Sequence, residues 1–152
     1  MIMKKYLLML AATAALSATA VQAHNFESSD DAIQYRQSGF SLMAYNFGDI
    51  GAMLKGKKDF NADVAAMRAA NVAALAKLPL EGFIDGSDKG DTEALAKIWA
   101  DKADFEAKFK ELQTNADALA IAAKGGDKNE LKKAFGAVGK SCKGCHDVYK
   151  KD

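Results

Sequence analysis

Proline, the residue that most reliably interrupts a helix, occurs once in this chain of 152 residues, at Pro79. A proline lacks the backbone N–H and its ring clashes with the preceding turn, so its scarcity leaves long stretches free to be helical. Alanine, the strongest helix former, is abundant on both sides of Pro79. The sequence has no run of alternating β-branched residues. The pattern therefore predicts an all-α fold.

The first 23 residues have the layout of a secretory signal peptide. Two lysines precede an apolar run over Tyr6–Leu16, and small residues lead to a small-x-small cleavage site after Ala23, with a cut after Ala20 as the alternative. The apolar run is shorter than the roughly 20 residues that a membrane span needs. We therefore expect a cleaved signal at 1–23, a single domain at 24–152, and export to the periplasm.

The charge balance gives no reason to expect a nucleic acid or an anionic membrane as a partner. The formal net charge of the whole chain is +1, and loss of the two lysines in the signal segment would make it slightly negative. Proteins that bind such polyanions usually carry a strongly basic face.

Four amphipathic helices are predicted from capping residues and from the spacing of apolar positions. The predicted bounds are Ser28 to about Leu54, Asn61 or Asp63 to Leu78, Glu93 or Asp101 to Lys124, and Asp127 to Lys150.

Two of the three connections between these helices are short, which favours an antiparallel up-down-up-down four-helix bundle. The exception is the segment LEGFIDGSDKGDTE at 80–93. Its glycines, aspartates and serine predict a long loop without a helix, and such loops often carry function.

The last predicted helix contains both cysteines of the chain and one of its two histidines, as Cys142, Cys145 and His146. The pattern C-x-x-C-H is the attachment signature of c-type haem. On a helix the three side chains project from one face. Two thioether bonds can therefore hold the macrocycle while the imidazole of His146 ligates the iron. The motif predicts one covalently attached haem c.

Three other interpretations of the motif explain less. A structural zinc site needs about four protein ligands, and the only other histidine is His24. A thioredoxin-like redox pair is expected near a βαβ pattern, which is missing from the sequence. A disulfide between Cys142 and Cys145 would close a very small loop, which gains little stability, and would leave His146 without a role.

A C-terminal haem motif on a four-helix bundle resembles the class II c-type cytochromes, and within them the cytochrome c prime family. The resemblance covers essentially the whole chain after the signal segment. It is carried by DDAIQYRQSGFSLMAYNFG in the first helix, by IWAD at 98–101, and by LKKAFGAVGKSCKGCHDVYKK at the end. The resemblance also implies a homodimer formed through the first two helices.

The function of such a haem depends on whether a second protein ligand occupies the sixth coordination position of its iron. The resemblance aligns Phe40 with the distal residue over the iron, commonly a leucine, and a phenyl ring cannot ligate. Met43 lies one turn further along, but a methionine at helical spacing is more often a packing residue. His24 lies at a terminus that is costly to order. We therefore expect a five-coordinate high-spin haem with an apolar distal pocket roofed by Phe40, with Met43 and Phe47 nearby.

A pocket of this kind is expected to bind NO, and CO more weakly, because O₂ benefits from a distal hydrogen-bond donor and none is evident beside Phe40. The expected role is NO binding, transport or detoxification. An enzyme is not expected, since no general acid or base is placed at the distal position. The alternative is a one-electron carrier, low-spin or high-spin, that exchanges electrons with redox partner proteins in the periplasm.

The resemblance assigns four further residues to the haem surroundings. Arg36 and Gln37 are expected near the propionates, with Arg36 as a charge-assisted donor or, alternatively, as a solvated helix residue. Asp91 matches a haem-edge position less closely, because the loop is slightly longer here. Lys150 stands where many members have an arginine near the proximal face. Lysine lacks the planar fork of arginine, so a surface role is equally expected.

Overall fold

The computed structural model describes residues 26–151. The predicted signal segment, its cleavage sites and His24 lie outside the described residues. The described part of the chain is helical and contains no β-strand. Its helices are α1 (Ser29–Leu54), α2 (Ala62–Leu75), α3 (Lys97–Ala100), α4 (Lys102–Gly125) and α5 (Lys128–Tyr149).

The four long helices form the predicted up-down-up-down bundle. α1 packs against α2, α2 against α4, and α4 against α5, whereas α1 and α5 barely touch. The fully buried side chains at the centre of the bundle include Ile50, Val72, Leu119, Leu131 and Val138. The bundle is therefore well packed on three sides and open along the seam between its first and last helices.

Three of the helices begin where their capping residues predict. The side chain of Ser28 accepts the N–H of Asp31 at 3.1 Å at the start of α1. Asn61 accepts the N–H of Val64 at 3.0 Å at the start of α2. Asp127 accepts two backbone N–H groups at the start of α5. Each side chain satisfies donors that the first helical turn cannot pair internally.

The second helix ends at Leu75 rather than at the predicted Leu78. Pro79 has no N–H to donate to the carbonyl of Leu75, so the last α-helical turn cannot continue into it. The backbone instead makes i to i+3 bonds, including Leu78 N–H to Leu75 O at 3.2 Å, and forms a 3₁₀ turn over Pro79–Gly82. The predicted loop thus begins with a helical turn that the sequence pattern did not indicate.

The third predicted helix is divided in two. The backbone of Asp101 has φ −127° and ψ 49°, which separates the short α3 from α4. A second apolar cluster forms there, in which Ile98 of α3 packs with Phe105 and Phe109 of α4 and with Tyr149 of α5. This cluster fixes the end of α5 that carries the C-x-x-C-H motif. No helix within residues 26–151 is long and apolar enough to cross a membrane.

Candidate haem site

The open seam between α1 and α5 holds a cavity of about 920 Å³. Pockets for small molecules and cofactors commonly measure about 300–1,000 Å³. The side of α5 that faces the cavity carries the cysteine and histidine motif, and the side of α1 that faces it is mainly apolar. The remaining wall includes aromatic side chains from the loop and from α4, namely Phe83, Phe105 and Phe109.

Cys142, Cys145 and His146 all line this cavity, so the structure brings them together on one face of α5 as the spacing predicts. The two cysteines are half-buried free thiols. Burial raises the pKa of Cys142 and raises the pKa of Cys145 to about 11. The described residues contain no cluster of three or more histidine, cysteine, aspartate or glutamate side chains that could hold a metal ion.

His146 lies exposed at the wall of the cavity. Desolvation by the surrounding protein, and then the positive charge of Lys150, lower the pKa of His146, while Asp147 and Glu93 act in the opposite direction. A lowered pKa keeps the imidazole neutral near pH 7, and the neutral form is the one that ligates a metal.

The opposite wall contains the residues expected on the distal side. Met43 is buried, and Phe40 is half-buried with its ring centroid 6.4 Å from that of Phe83 and 6.1 Å from that of Phe109. Phe47 stacks on Phe135 at 4.0 Å where the seam closes. Ser41, which the sequence analysis did not consider, lines the cavity as an exposed residue.

Arg36 is not a solvated helix residue, because only 2% of it is exposed. Its Nη1 donates to the carbonyl of Gly82 and to Ser87 Oγ, both at 2.7 Å, and its Nη2 donates to the carbonyl of Ser87 at 2.7 Å and to Thr92 Oγ1 at 2.8 Å. The guanidinium also lies 4.4 Å from the centroid of the Phe83 ring. All four acceptors are neutral oxygens on the loop.

The charge of Arg36 therefore lacks a carboxylate partner within the part of the chain that the structure describes. A buried charge is normally compensated, and burial lowers the pKa of this guanidinium. Since Arg36 also lines the cavity, an anionic group placed there would supply the missing counter-charge. This is what a haem propionate would provide, so the residues at this end of the cavity fit the cofactor.

The other residues expected at the haem edge differ in position. Gln37 lines the cavity, and its Nε2 donates to the backbone carbonyl of Asp91 at 2.8 Å. Asp91 itself lines a separate surface pocket with residues from the start of α1. The geometry thus gives no support to a haem-edge role for the Asp91 side chain. Its neighbours Thr92 and Glu93, which the sequence analysis passed over, do line the cavity.

Lys150 lines the cavity beyond His146, but its ammonium group is paired. Its Nζ lies 2.7 Å from Glu93 Oε2. The hydrogen bond and the positive charge of Lys150 hold the pKa of Glu93 below its usual range. The predicted proximal lysine is therefore directed to the loop by Glu93, a partner that no local sequence signal indicates.

Comparisons with known proteins cover nearly all of the described residues. Residues 31–150 match a family model described as cytochrome C′. The chain is 47% identical to cytochrome c′ from Rubrivivax gelatinosus over 126 residues, which is 82% of this chain and 98% of that protein. The structure of cytochrome c prime from Shewanella frigidimarina superposes with a TM-score of 0.83 at 70% identity, covering 84% of this chain and all of the other.

A third similar structure is a complex with a ligand. It is the nitric oxide complex of a leucine-to-alanine mutant of cytochrome c prime from Alcaligenes xylosoxidans. Its TM-score with this chain is 0.78 at 38% identity, and the match covers 84% of this chain and 99% of that one.

Proposed function

The chain belongs to the cytochrome c prime family, and we propose that it is a periplasmic protein whose haem iron is five-coordinate, high-spin and open to NO, and to CO more weakly. The cofactor is one covalently attached haem c. Its iron supplies the coordination chemistry. Cys142 and Cys145 would attach the macrocycle, His146 would supply its imidazole, and Phe40, Met43 and Phe47 would give the opposite wall of the cavity an apolar surface.

The observation that carries this proposal is the contrast between the two walls of the cavity. The α5 wall presents His146 beside two thiols, and the α1 wall presents Phe40, Met43 and Phe47. The polar side chains that α1 adds to the cavity are the buried Arg36, which is bonded to the loop, and the exposed Gln37 and Ser41. An apolar distal wall favours NO and CO over O₂, which benefits from a distal donor.

The nitric oxide complex of the relative from Alcaligenes xylosoxidans supports the same ligand. The family resemblance implies that Phe40 of this chain occupies the distal position, where leucine is common. A phenyl ring is larger and stiffer than a leucine side chain. We therefore propose weaker and slower CO binding than in relatives that have leucine there.

Absorption spectra of the ferric and ferrous protein, with and without NO and CO, test the proposal. High-spin bands in both gas-free states, together with spectral changes on adding either gas, are expected. Low-spin bands at neutral pH would mean that Met43 or another side chain occupies the sixth coordination position of the iron. That result would favour the alternative of a one-electron carrier. A colourless protein from a host that matures c-type cytochromes would overturn both functions.

We also propose a homodimer through α1 and α2, on the basis of large apolar side chains that these helices expose. Leu42 is 56% exposed, Tyr45 is 64% exposed and Met67 is 50% exposed. Sedimentation of the purified protein should give twice the monomer mass, and Leu42→Lys should shift it to monomer. The matched control is Ile121→Lys on α4, since Ile121 is 73% exposed and lies on another helix. A monomeric wild-type protein would contradict the proposal.

The periplasmic location rests on the segment at 1–23 and on the attached haem. Mass spectrometry of protein from a periplasmic extract should identify His24 as the first residue and a mass increment of one haem. Protein recovered with Met1 in the cytoplasmic fraction would contradict the location.

A further inference from the structure

The chain beyond α5 is paired with the loop that precedes α3. From Tyr149 it continues in an extended conformation, and Lys150 forms an isolated antiparallel bridge with Ala94. The N–H of Leu95 donates to the carbonyl of Tyr149 at 2.9 Å, and the N–H of Lys151 donates to the carbonyl of Glu93 at 2.8 Å. We call this pairing of residues 93–95 with residues 149–151 the C-terminal clasp.

Side chains reinforce the clasp on both of its sides. Lys150 Nζ lies 2.7 Å from Glu93 Oε2. Tyr149 is buried, its hydroxyl donates to Asp104 Oδ2 at 2.7 Å, and its ring lies 5.3 Å from that of Phe105. The last turn of α5 is therefore held by the loop on one side and by α4 on the other.

The loop side of the clasp is in turn attached to α1. Thr92 Oγ1 accepts hydrogen bonds from Arg36 Nη2 at 2.8 Å and from the N–H of Ala94 at 3.1 Å. Because Arg36 is buried, this attachment is rigid compared with an exposed contact. The clasp thus connects the two walls of the cavity at the end where His146 lies.

His146 occupies the last turn of α5, and the carbonyl of His146 accepts the N–H of Lys150 at 3.2 Å. Final helical turns fray, because their carbonyls lack partners further along the helix. An axial ligand in such a turn would move with it. The clasp supplies partners beyond the helix and so opposes this motion.

We propose that Glu93 is a positioning residue that, through the clasp, keeps His146 bonded to the iron. Loss of His146 would break the bond between iron and the imidazole nitrogen and return the lone pair to the ring, with no electron transferred. In its consequence for NO the inference rests on the proposed function, because a strong added ligand such as NO would weaken the bond between the iron and the imidazole. Its consequence for the gas-free protein is independent of NO.

Two variants of the full haem-loaded protein test the clasp. Glu93→Gln removes the charge and keeps the side-chain size, whereas a chain ended at Tyr149 removes the whole extended segment. In the gas-free ferrous protein, the resonance Raman band for the bond between iron and His146 should shift to lower frequency and broaden, more in the shortened chain. With NO, the absorption spectrum follows the rate at which His146 is lost from the iron. For Glu93→Gln this rate should rise about two- to fivefold, because an exposed ion pair contributes only a small stabilising free energy.

Glu106→Gln is the matched control. Glu106 Oε1 lies 3.9 Å from Lys102 Nζ, in an exposed ion pair on α4 that has no part in the clasp. This variant should leave the Raman band and the rate unchanged. The double change Glu93→Lys with Lys150→Glu should restore both toward wild type.

An unchanged Raman band and rate in the shortened chain, with helicity retained, would overturn the proposal. An equal response in Glu106→Gln would overturn it as well, since a general loss of negative surface charge would then suffice. If the wild-type protein bound no NO, the gas-binding function would fail, and the Raman band would still decide whether the clasp positions His146.

Discussion

At the scale of single residues, Arg36 shows how one side chain organises both the loop and the cavity. Its four hydrogen bonds hold the loop at Gly82, Ser87 and Thr92, and its charge remains available to an anion in the cavity. Gly82 completes this arrangement, because a Cβ there would lie 2.6 Å from the carbonyl oxygen of Ala32 and 2.9 Å from Arg36 Cβ. The loop can approach α1 this closely only with a glycine.

Arg36→Met should therefore destabilise the protein by about 2–4 kcal/mol, because it leaves buried carbonyl groups without donors while conserving most of the side-chain volume. Urea unfolding of the haem-loaded protein measures the change. Gln37→Met is the control, since Gln37 is exposed and donates only to the carbonyl of Asp91; it should cost less than about 1 kcal/mol. Equal losses of unfolding free energy in the two variants would show that the buried hydrogen bonds of Arg36 make no special contribution to stability.

Phe40→Ala tests the aromatic roof. If the ring crowds a ligand at a cost of about 1–3 kcal/mol, typical of overpacking, its removal should raise CO affinity about tenfold. Equilibrium CO titration of the ferrous protein measures the change. Ile121→Ala, an exposed position on α4, should leave the affinity unaltered. A CO affinity unaffected by Phe40→Ala would mean that the ring does not lie over the iron.

At the scale of elements, Asp49 near the end of α1 joins three parts of the chain. Its carboxylate pairs with Lys58 in the connection to α2 and accepts a hydrogen bond from Arg68 Nε of α2 at 2.9 Å. Hydrogen bonds from Lys58 and then from Arg68 hold the pKa of Asp49 below its usual range. The first two helices are thus joined by polar contacts close to the connection between them.

This lowered pKa predicts a pH dependence. A carboxyl whose pKa is lower in the folded than in the unfolded protein contributes stability that is complete above the unfolded pKa and is lost as the pH falls through the folded pKa. The free energy of unfolding should therefore fall between about pH 5 and pH 2. Asp49→Asn should make that fall shallower. Urea unfolding over this range is the measurement, and an identical slope in both proteins would exclude Asp49 as a source.

Elements whose causes are local could be predicted from the sequence, and those that depend on distant partners could not. Ser28, Asn61 and Asp127 cap their helices with their own side chains, so the helix starts were predictable. The clustering of Cys142, Cys145 and His146 was predictable because their spacing within one helix places all three side chains on the same face. By contrast, Glu93 meets Lys150 only after the bundle has formed, and neither residue carries a local signal of that contact.

The same distinction explains why Asp91 was favoured over its neighbours. The resemblance aligned the loop by sequence position, while the structure turns the loop so that Thr92 and Glu93 line the cavity and Asp91 lies in a separate pocket. The 3₁₀ turn at Pro79–Gly82 was missed for a different reason. The glycines and aspartates of 80–93 favour a loop, and this signal outweighed the preference of proline for the first position of a helical turn.

At the scale of the whole molecule, the bundle is closed by packing on three sides and by the cofactor site on the fourth. The stacked rings of Phe47 and Phe135, with centroids 4.0 Å apart, form one of the few contacts between α1 and α5. Without haem, the aromatic and apolar walls of the cavity would meet water. Part of the hydrophobic contribution to the position of α1, on its side that faces α5, should therefore come from the bound macrocycle.

Cys142→Ser with Cys145→Ser, purified without haem, should consequently show faster amide hydrogen exchange in α1 than in α4. The effect should be largest in the stretch of α1 that lines the cavity, from Arg36 to Gly48. Hydrogen–deuterium exchange with mass spectrometry resolves the two helices. The haem-loaded wild type is the control, and uniform exchange in the variant would contradict a cofactor-dependent α1.

The open seam also bears on the order of events in biogenesis. Because the first and last helices share few contacts, a seam that stays open until the porphyrin is in place would give the maturation machinery access to both thiols before the protein closes around them. Closure of the first helix onto the last would then be the final folding step, and chains that never receive the cofactor would remain recognisable to proteases by that open seam.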